Sequence, residues 1–336
     1  MKISHYLEFE DRVLGGIRES VKNQRTAFER TDLEYVTDVK FSSDIWHLNF
    51  VGPISFIFAM TATLIRKPLI INVHTTSEDF KESFRFSGIL SYPLYIYLKV
   101  FYSMGDKLIV PSDYTASLMK NDYGFTPEKL SVVSNGVETS KLNNFEEHRE
   151  EAREKYDLDG EVFFCVGSVF KRKGVPEFID VARKFPQKDF VWFGKIFDDK
   201  IMDKEMKEAM SSKPDNVTFT GYVDDIREAY AAGDVFFYPT HTENQGIPAL
   251  EAAYCEKPLI LRDIPAFESD FEDGENCLKG DNLEEFYDCI ERVSRDEELP
   301  SELVDNARDM VENHTLESIG KQLQDAYFAR LENQSK

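Results

Sequence analysis

Apolar and polar positions along this 336-residue chain follow two rhythms. Runs of three to five apolar residues bounded by turn formers read as strands buried on both faces of a sheet. Between them, segments with apolar residues every third or fourth position read as helices. In the first half, after a short N-terminal strand, the strand-like runs are Trp46-His47-Leu48-Asn49, Leu69-Ile70-Ile71-Asn72-Val73, Leu108-Ile109-Val110 and Leu130-Ser131-Val132-Val133. The second half repeats the scheme with Val162-Phe163-Phe164-Cys165-Val166, Phe190-Val191-Trp192-Phe193, Val217-Thr218-Phe219, Val235-Phe236-Phe237-Tyr238 and Leu259-Ile260-Leu261. This alternation predicts an α/β protein with two doubly wound parallel sheets, whose ligands bind beyond the carboxyl ends of the strands. A chain of 336 residues is too long for one ordinary core and suits two units.

A linker is expected near residues 137–158, where apolar residues thin out and 146–155 form a charged helical stretch. The longest apolar stretch, residues 51–65, holds Gly52, Pro53 and several small polar residues. It is too short to cross a bilayer and reads as a core helix; no segment reads as a signal peptide or a spanning helix. Residues 84–102 are crowded with aromatic and aliphatic side chains, among them Tyr92, Tyr95, Tyr97, Phe101 and Tyr102. Two readings stand for this segment: a helix buried against the first sheet, and a surface meeting a membrane.

Charge narrows the partners. A formal net charge of −22 speaks against nucleic acid and against simple electrostatic adhesion to anionic lipid. Four cysteines, Cys165, Cys255, Cys277 and Cys289, lack CxxC spacing and read as buried thiols in a reducing cytoplasm. Asp157 and Asp159 flank a turn before the first strand of the second half and read as solvated, so no metal site is expected there.

The candidate chemistry sits in the run from Tyr238 to Ala253, where Glu243 and Glu251 stand eight positions apart across a strand-to-helix turn. Pro248 suits a first helical turn, which places Glu243 in the loop and Glu251 in the first turn of the helix. Backbone amides of Gly246 and Ile247 at a helix start attract a diphosphate, and carboxylates grip hydroxyl pairs. Each charge-assisted hydrogen bond contributes roughly 1.5–3 kcal/mol. A carboxylate about 4 Å from a phosphate oxygen would cost on the order of 4 kcal/mol at an effective dielectric near 20, so cations are needed nearby. Arg172 and Lys173, in the basic turn after Val166, are the candidates for that clamp.

With these pieces the chain resembles retaining glycosyltransferases of the GT-B fold, family 4 (group 1), which carry a Glu, seven residues, Glu motif. Other matching pieces are Leu14-Gly15-Gly16-Ile17, Asn72-Val73-His74, Val110-Pro111-Ser112, Ser134-Asn135-Gly136-Val137, Lys173-Gly174, and residues 216–223. The wording around Glu243 is most similar to members that glucosylate diacylglycerol. The sequence departs from the family at Ser168, where an arginine usually contacts the donor phosphates; Arg172 is expected to take over that charge.

The resemblance implies two Rossmann-like doubly wound parallel-sheet domains facing a central cleft. The two are an acceptor-binding domain over residues 1–145 and a nucleotide-sugar-binding domain over 146–312, and a final helix within 313–336 packs back on the first. It implies transfer of a hexose from a UDP- or GDP-linked donor to a hydroxyl of a lipid or growing glycan, with no cofactor and no required metal. The catalytic set is then Lys173, Arg172, Glu243 and His74. The donor set is Gly15, Gly16, Tyr222, Val223, Asn244, Gln245, Gly246, Ile247 and Glu251. His74 ends a strand-like run, and its alternative is a structural or turn-capping role; His47 reads first as structural. Tyr222 has ordinary packing as its alternative, and Gly15-Gly16 has a plain tight turn. The implied location is cytoplasmic, peripheral at the inner face of a membrane. A sugar-nucleotide epimerase of the same fold and a non-catalytic partner subunit remain the alternatives. No GxGxxG follows a strand-like run, which argues against a dinucleotide oxidoreductase.

Overall fold

The computed structural model describes residues 1–13, 15–80, 87–197, 202 and 204–332; Leu14 of the early turn and residues 84–86 of the aromatic segment lie outside these. Two six-stranded sheets, every pair parallel, carry the fold. The first holds β1 (Lys2–Tyr6), β2 (Glu34–Val36), β3 (Ile45–Leu48), β4 (Leu69–Asn72), β5 (Lys107–Val110) and β6 (Leu130–Val132) in the order β2-β1-β3-β4-β5-β6. The second holds β7 (Val162–Val166), β8 (Asp189–Phe193), β9 (Val217–Gly221), β10 (Val235–Tyr238), β11 (Leu259–Arg262) and β12 (Leu278–Gly280) in the order β12-β11-β10-β7-β8-β9. Each order reverses once, between β1 and β3 and between β7 and β10. Ligands of doubly wound sheets bind at such switch points, outside the carboxyl ends of the strands.

The central strands β3, β4, β7, β10 and β11 are buried along their whole length, which is why they read as unbroken apolar runs. The edge strands β2 and β12 did not stand out in the sequence: Glu-Tyr-Val and Leu-Lys-Gly are three residues each, and β2 is half-exposed to exposed. The two units are Met1–Phe80 with Gly88–Val137 and the residues from Asn313, and Glu138–Glu312. Residues 138–145, grouped in the sequence with the first half, fall in the second unit. There the turn Phe145–His148 packs on the helix Arg227–Ala232, and Arg149 pairs with Asp234. Asp157 caps the helix Arg149–Tyr156 in a left-handed conformation, a structural turn.

In the first unit the final helix, Leu316–Glu332, lies on the helix Gly16–Phe28. Gly320 permits the approach, since a Cβ there would stand 3.0 Å from the Ala27 carbonyl oxygen. Tyr327 reaches His47 Nδ1 at 2.7 Å and Arg330 pairs with Asp106 at 3.0 Å. The helix Pro53–Ile65 packs on the core of the first unit as expected, through Ala59 and Ala62 with Phe56 and Phe58 beside them, but it turns Ile57, Met60 and Leu64 to solvent. Small side chains let it sit close on β3 and β4, and Phe58 packs on the Tyr6 and Trp46 rings. All four cysteines are buried and free.

Candidate active site

The turn after β7 and the loop after β10 meet at the second switch point. Gly174 makes this possible: its φ is 78°, and a Cβ there would fall 2.1 Å from the Pro239 carbonyl oxygen. The close approach sets Lys173 against β10. Its ammonium donates to the Tyr238 hydroxyl at 2.9 Å and pairs with Glu243, both ionic side chains being 11% exposed. Glu243 also accepts from the Tyr238 hydroxyl and from Thr240 Oγ1 at 3.3 Å. Burial pushes the Glu243 carboxyl up, but Lys173 and then Arg172 pull it down further, so it stays ionised below the usual carboxylate range.

Arg172 stitches the two loops together: its Nη1 donates to the Thr242 carbonyl at 3.0 Å, and its own carbonyl accepts from His241 N at 2.8 Å. Its buried Nε has no acceptor among the described residues, a donor aimed at no protein group. Lys171 turns away to Glu205 at 2.7 Å. Ser168, the position at which the sequence departs from the resemblance, is half-buried at the start of this turn.

Gly246, at φ 89°, starts the helix Ile247–Tyr254, and a Cβ there would meet the Phe267 ring at 2.6 Å. The first amides of this helix lack intrahelical acceptors. Because the helix starts at Ile247, Glu251 is its fifth residue and stands one turn in, a correction to the first-turn placement. Its Oε2 accepts from the Tyr230 hydroxyl at 2.7 Å. Asn244 is half-buried, whereas Gln245 and Ile247 are buried, so the latter two present backbone to a ligand more readily than side chain.

Tyr222 and Val223 follow β9, two strands from β7, after the left-handed Gly221. Tyr222 is 72% exposed, which rules out ordinary packing. In the first unit, Gly15 (φ 75°) and Gly16 open the helix Gly16–Phe28, and a Cβ on either would meet nothing within 4 Å. His74 follows β4, half-buried, with its pKa lowered to about 4 by burial; it is neutral at neutral pH. His47 is fully buried and holds Tyr327, the structural role.

The structure thus brings Lys173, Arg172, Glu243 and the Gly246 turn together around β7 and β10, and leaves Tyr222 and Val223 at a separate strand end. It adds residues the sequence did not single out. Tyr238 and Tyr230 each hold one motif glutamate, and burial followed by that glutamate's charge raises both hydroxyl pKa values, so both remain donors. Glu177 braces the loop by bonding His241 Nε2 at 2.6 Å, with Arg262 3.5 Å from the same oxygen. A tyrosine hydroxyl closing an otherwise apolar strand was the signal available for Tyr238; Tyr230 offered none.

Residues 147–310 match the family described as Glycosyl transferases group 1, and residues 36–141 match Glycosyltransferase Family 4. The processive diacylglycerol alpha-glucosyltransferase of Acholeplasma laidlawii is 31% identical over 319 residues, spanning 93% of this chain and 93% of that protein. The chain belongs to the family 4, group 1 glycosyltransferases. This glycosyltransferase is also 29% identical to the alpha-galactosylglucosyldiacylglycerol synthase of Streptococcus pneumoniae, over 58% of this chain and 54% of that one. Among solved structures, Anabaena HepE in complex with UDP and glucose superposes with a TM-score of 0.76 at 16% identity, over 97% of this chain and 98% of that one. The lipopolysaccharide glycosyltransferase WaaG gives 0.68 at 17% identity, over 97% and 99%. The two doubly wound sheets of this glycosyltransferase are those of the GT-B fold, as the sequence led one to expect.

Proposed function

We propose that this glycosyltransferase moves a hexose from a UDP- or GDP-linked donor to a hydroxyl of a lipid or growing glycan, retaining the anomeric configuration and requiring no metal. The observation that carries the reading is the Lys173–Glu243 pair at the switch point of the second sheet, with the Arg172 Nε beside it lacking an acceptor among the described residues. In this reading Arg172, Lys173 and the amides after Gly246 receive the diphosphate, while Glu243 and Glu251 accept hydrogen bonds from hydroxyls of the donor. Tyr222 and Val223 border the base. Gly15, Gly16 and neutral His74 serve the transferred sugar. The acceptor hydroxyl attacks the anomeric carbon from the face the diphosphate leaves. The carbon–phosphate-oxygen bond breaks, the new carbon–oxygen bond forms, and the hydroxyl proton passes to a departing diphosphate oxygen. Stabilising that leaving charge supplies the largest share of the rate, and orientation the next.

A lipid acceptor is supported by the printed activities of the Acholeplasma and Streptococcus relatives, both glycosyl transfers onto diacylglycerol-based lipids. The alpha linkage in the first name supports retention, and UDP in HepE makes a uridine donor the first to test. The protein would then work at the cytoplasmic face of a membrane. Incubating the purified chain with UDP-glucose, UDP-galactose or GDP-mannose and diacylglycerol, followed by NMR of the product, tests this. An α-linked glycolipid formed equally with and without EDTA is expected. A β-linkage, abolition by EDTA, or conversion of the donor without an acceptor would overturn the corresponding part.

A further inference from the structure

Two neighbouring helices of the first unit present apolar faces to solvent. The helix Pro53–Ile65 turns Ile57, Met60 and Leu64 outward at 60, 55 and 84% exposure. The helix Ser87–Met104 packs beside it, Phe56 stacking on Tyr97 with ring centres 5.5 Å apart and the Tyr97 hydroxyl donating to the Val51 carbonyl at 2.8 Å. It turns Tyr92, Ile96 and Val100 outward at 69, 48 and 48%. Both sets recur at three- and four-residue spacing, so each forms one stripe and the stripes run on adjacent helices. One exposed leucine needs no explanation, but six exposed apolar side chains on two helices that touch each other mark a docking surface.

Charge identifies what docks. The chain carries 62 acidic residues in 336, a density that would place about six on the 31 residues of these two helices, and they hold none. Their single charge is Lys99, and Arg66 and Lys67 follow the first helix. A face stripped of acids within a protein of net charge −22 is suited to phosphate headgroups, which repel carboxylates. Tyr92, with an apolar ring and a polar tip, is the residue type that sits at a bilayer boundary.

We infer that this two-helix face seats the glycosyltransferase on a lipid bilayer by inserting its apolar stripes at the headgroup boundary, and not by attraction to anionic lipid. The inference deepens the reading of a lipid acceptor and rests on it. Three cations on or beside the helices do not offset the acidic remainder of the chain, so attachment follows buried apolar area. Salt therefore does not release the protein; on anionic vesicles it strengthens binding by screening the repulsion.

The test is co-sedimentation of the full chain with phosphatidylcholine vesicles, and with phosphatidylcholine–phosphatidylglycerol vesicles, at low and high sodium chloride. Wild type is expected on both, with no loss at high salt. The double variant Leu64→Glu, Ile96→Glu alters two exposed side chains, and an unchanged melting temperature verifies its fold. Its partitioning should fall about a hundredfold or more, taking about tenfold for each inserted side chain. Transfer to a short-chain, water-dispersed acceptor should stay unchanged while transfer to vesicle-borne acceptor falls. Three results would overturn the inference: wild type bound only to anionic vesicles and released by salt, a variant that binds like wild type, or a wild-type dimer that the variant renders monomeric. Vesicle binding lost in the variant, with no transfer to any lipid by wild type, would sustain the docking and sink the lipid-acceptor reading instead.

Discussion

At the carboxyl end of the first sheet stand three histidines and a set of amides. The rings of His5 and His47 pack edge to face at 4.7 Å, His5 Nε2 lies 3.0 Å from Gln24 Oε1, and Asn72 Nδ2 donates to Gln24 and Asn49 at 3.0 and 2.6 Å. Burial, and then Arg25, lowers the His5 pKa to about 3; burial, and then His5, lowers that of His47. At the same end of the second sheet stand Lys173, Arg172, Glu243 and Glu251, with two tyrosine hydroxyls holding the carboxylates. Imidazole and amide groups predominate at the first end, with the Arg25–Glu10 pair and the buried Glu8 beside them, and compensated charges predominate at the second. A neutral end suits hydroxyls, and a charged end suits a diphosphate.

The largest effect that would sharpen this contrast is expected from Lys173→Ala. In the proposed reaction it removes the positive charge that would face the departing diphosphate, and it leaves Glu243 buried without its cation, so turnover should fall about 10²–10³-fold in initial-rate assays. His74→Ala, at the neutral end, should cost about tenfold, the worth of one hydrogen bond. Equal losses would break the comparison. Next comes Glu251→Ala, expected to weaken donor binding by roughly 1.5–3 kcal/mol, read by calorimetric titration.

The neutral end makes its own prediction in acid. Folded-state pKa values of about 3 for His5 and about 4 for His74 lie below the ordinary 6.5, so the unfolded chain takes up protons first. Their contribution to stability is complete above the ordinary value and is lost as pH falls toward the folded values. For His5 alone the loss at about pH 5 is on the order of 2 kcal/mol, and the melting temperature should drop between neutrality and that pH. The smallest effect is Tyr327→Phe, which leaves His47 Nδ1 without its partner and should cost about 1 kcal/mol in denaturant unfolding, with donor binding intact.

How much of this was legible in the sequence depended on whether the cause was local. Glu243, Gly246, Pro248 and Glu251 lie within one turn-and-helix segment, so their spacing announced the motif. The buried strands were visible as apolar runs because both faces are covered. The helix starts at Ile247, behind a Gly246 whose close approach to the Phe267 ring no local pattern reveals, so Glu251 is the fifth helical residue and lies just past the first turn. Tyr230 lies 21 positions from Glu251, and no local pattern could join them. The Pro53–Ile65 helix was legible only in part: apolar content says that a helix has a buried face, but not that Ala59 and Ala62 form its centre, with Phe56 and Phe58 at its margin and Ile57, Met60 and Leu64 outside it.

The most direct test of the contrast is calorimetric titration of UDP and of GDP, without sugar, into wild type, Lys173→Ala and His74→Ala. One nucleotide should bind wild type, lose about tenfold or more in affinity with Lys173→Ala, and be unaffected by His74→Ala. Equal losses in the two variants, or no binding of either nucleotide to wild type, would contradict the assignment of the diphosphate to the charged end of the second sheet.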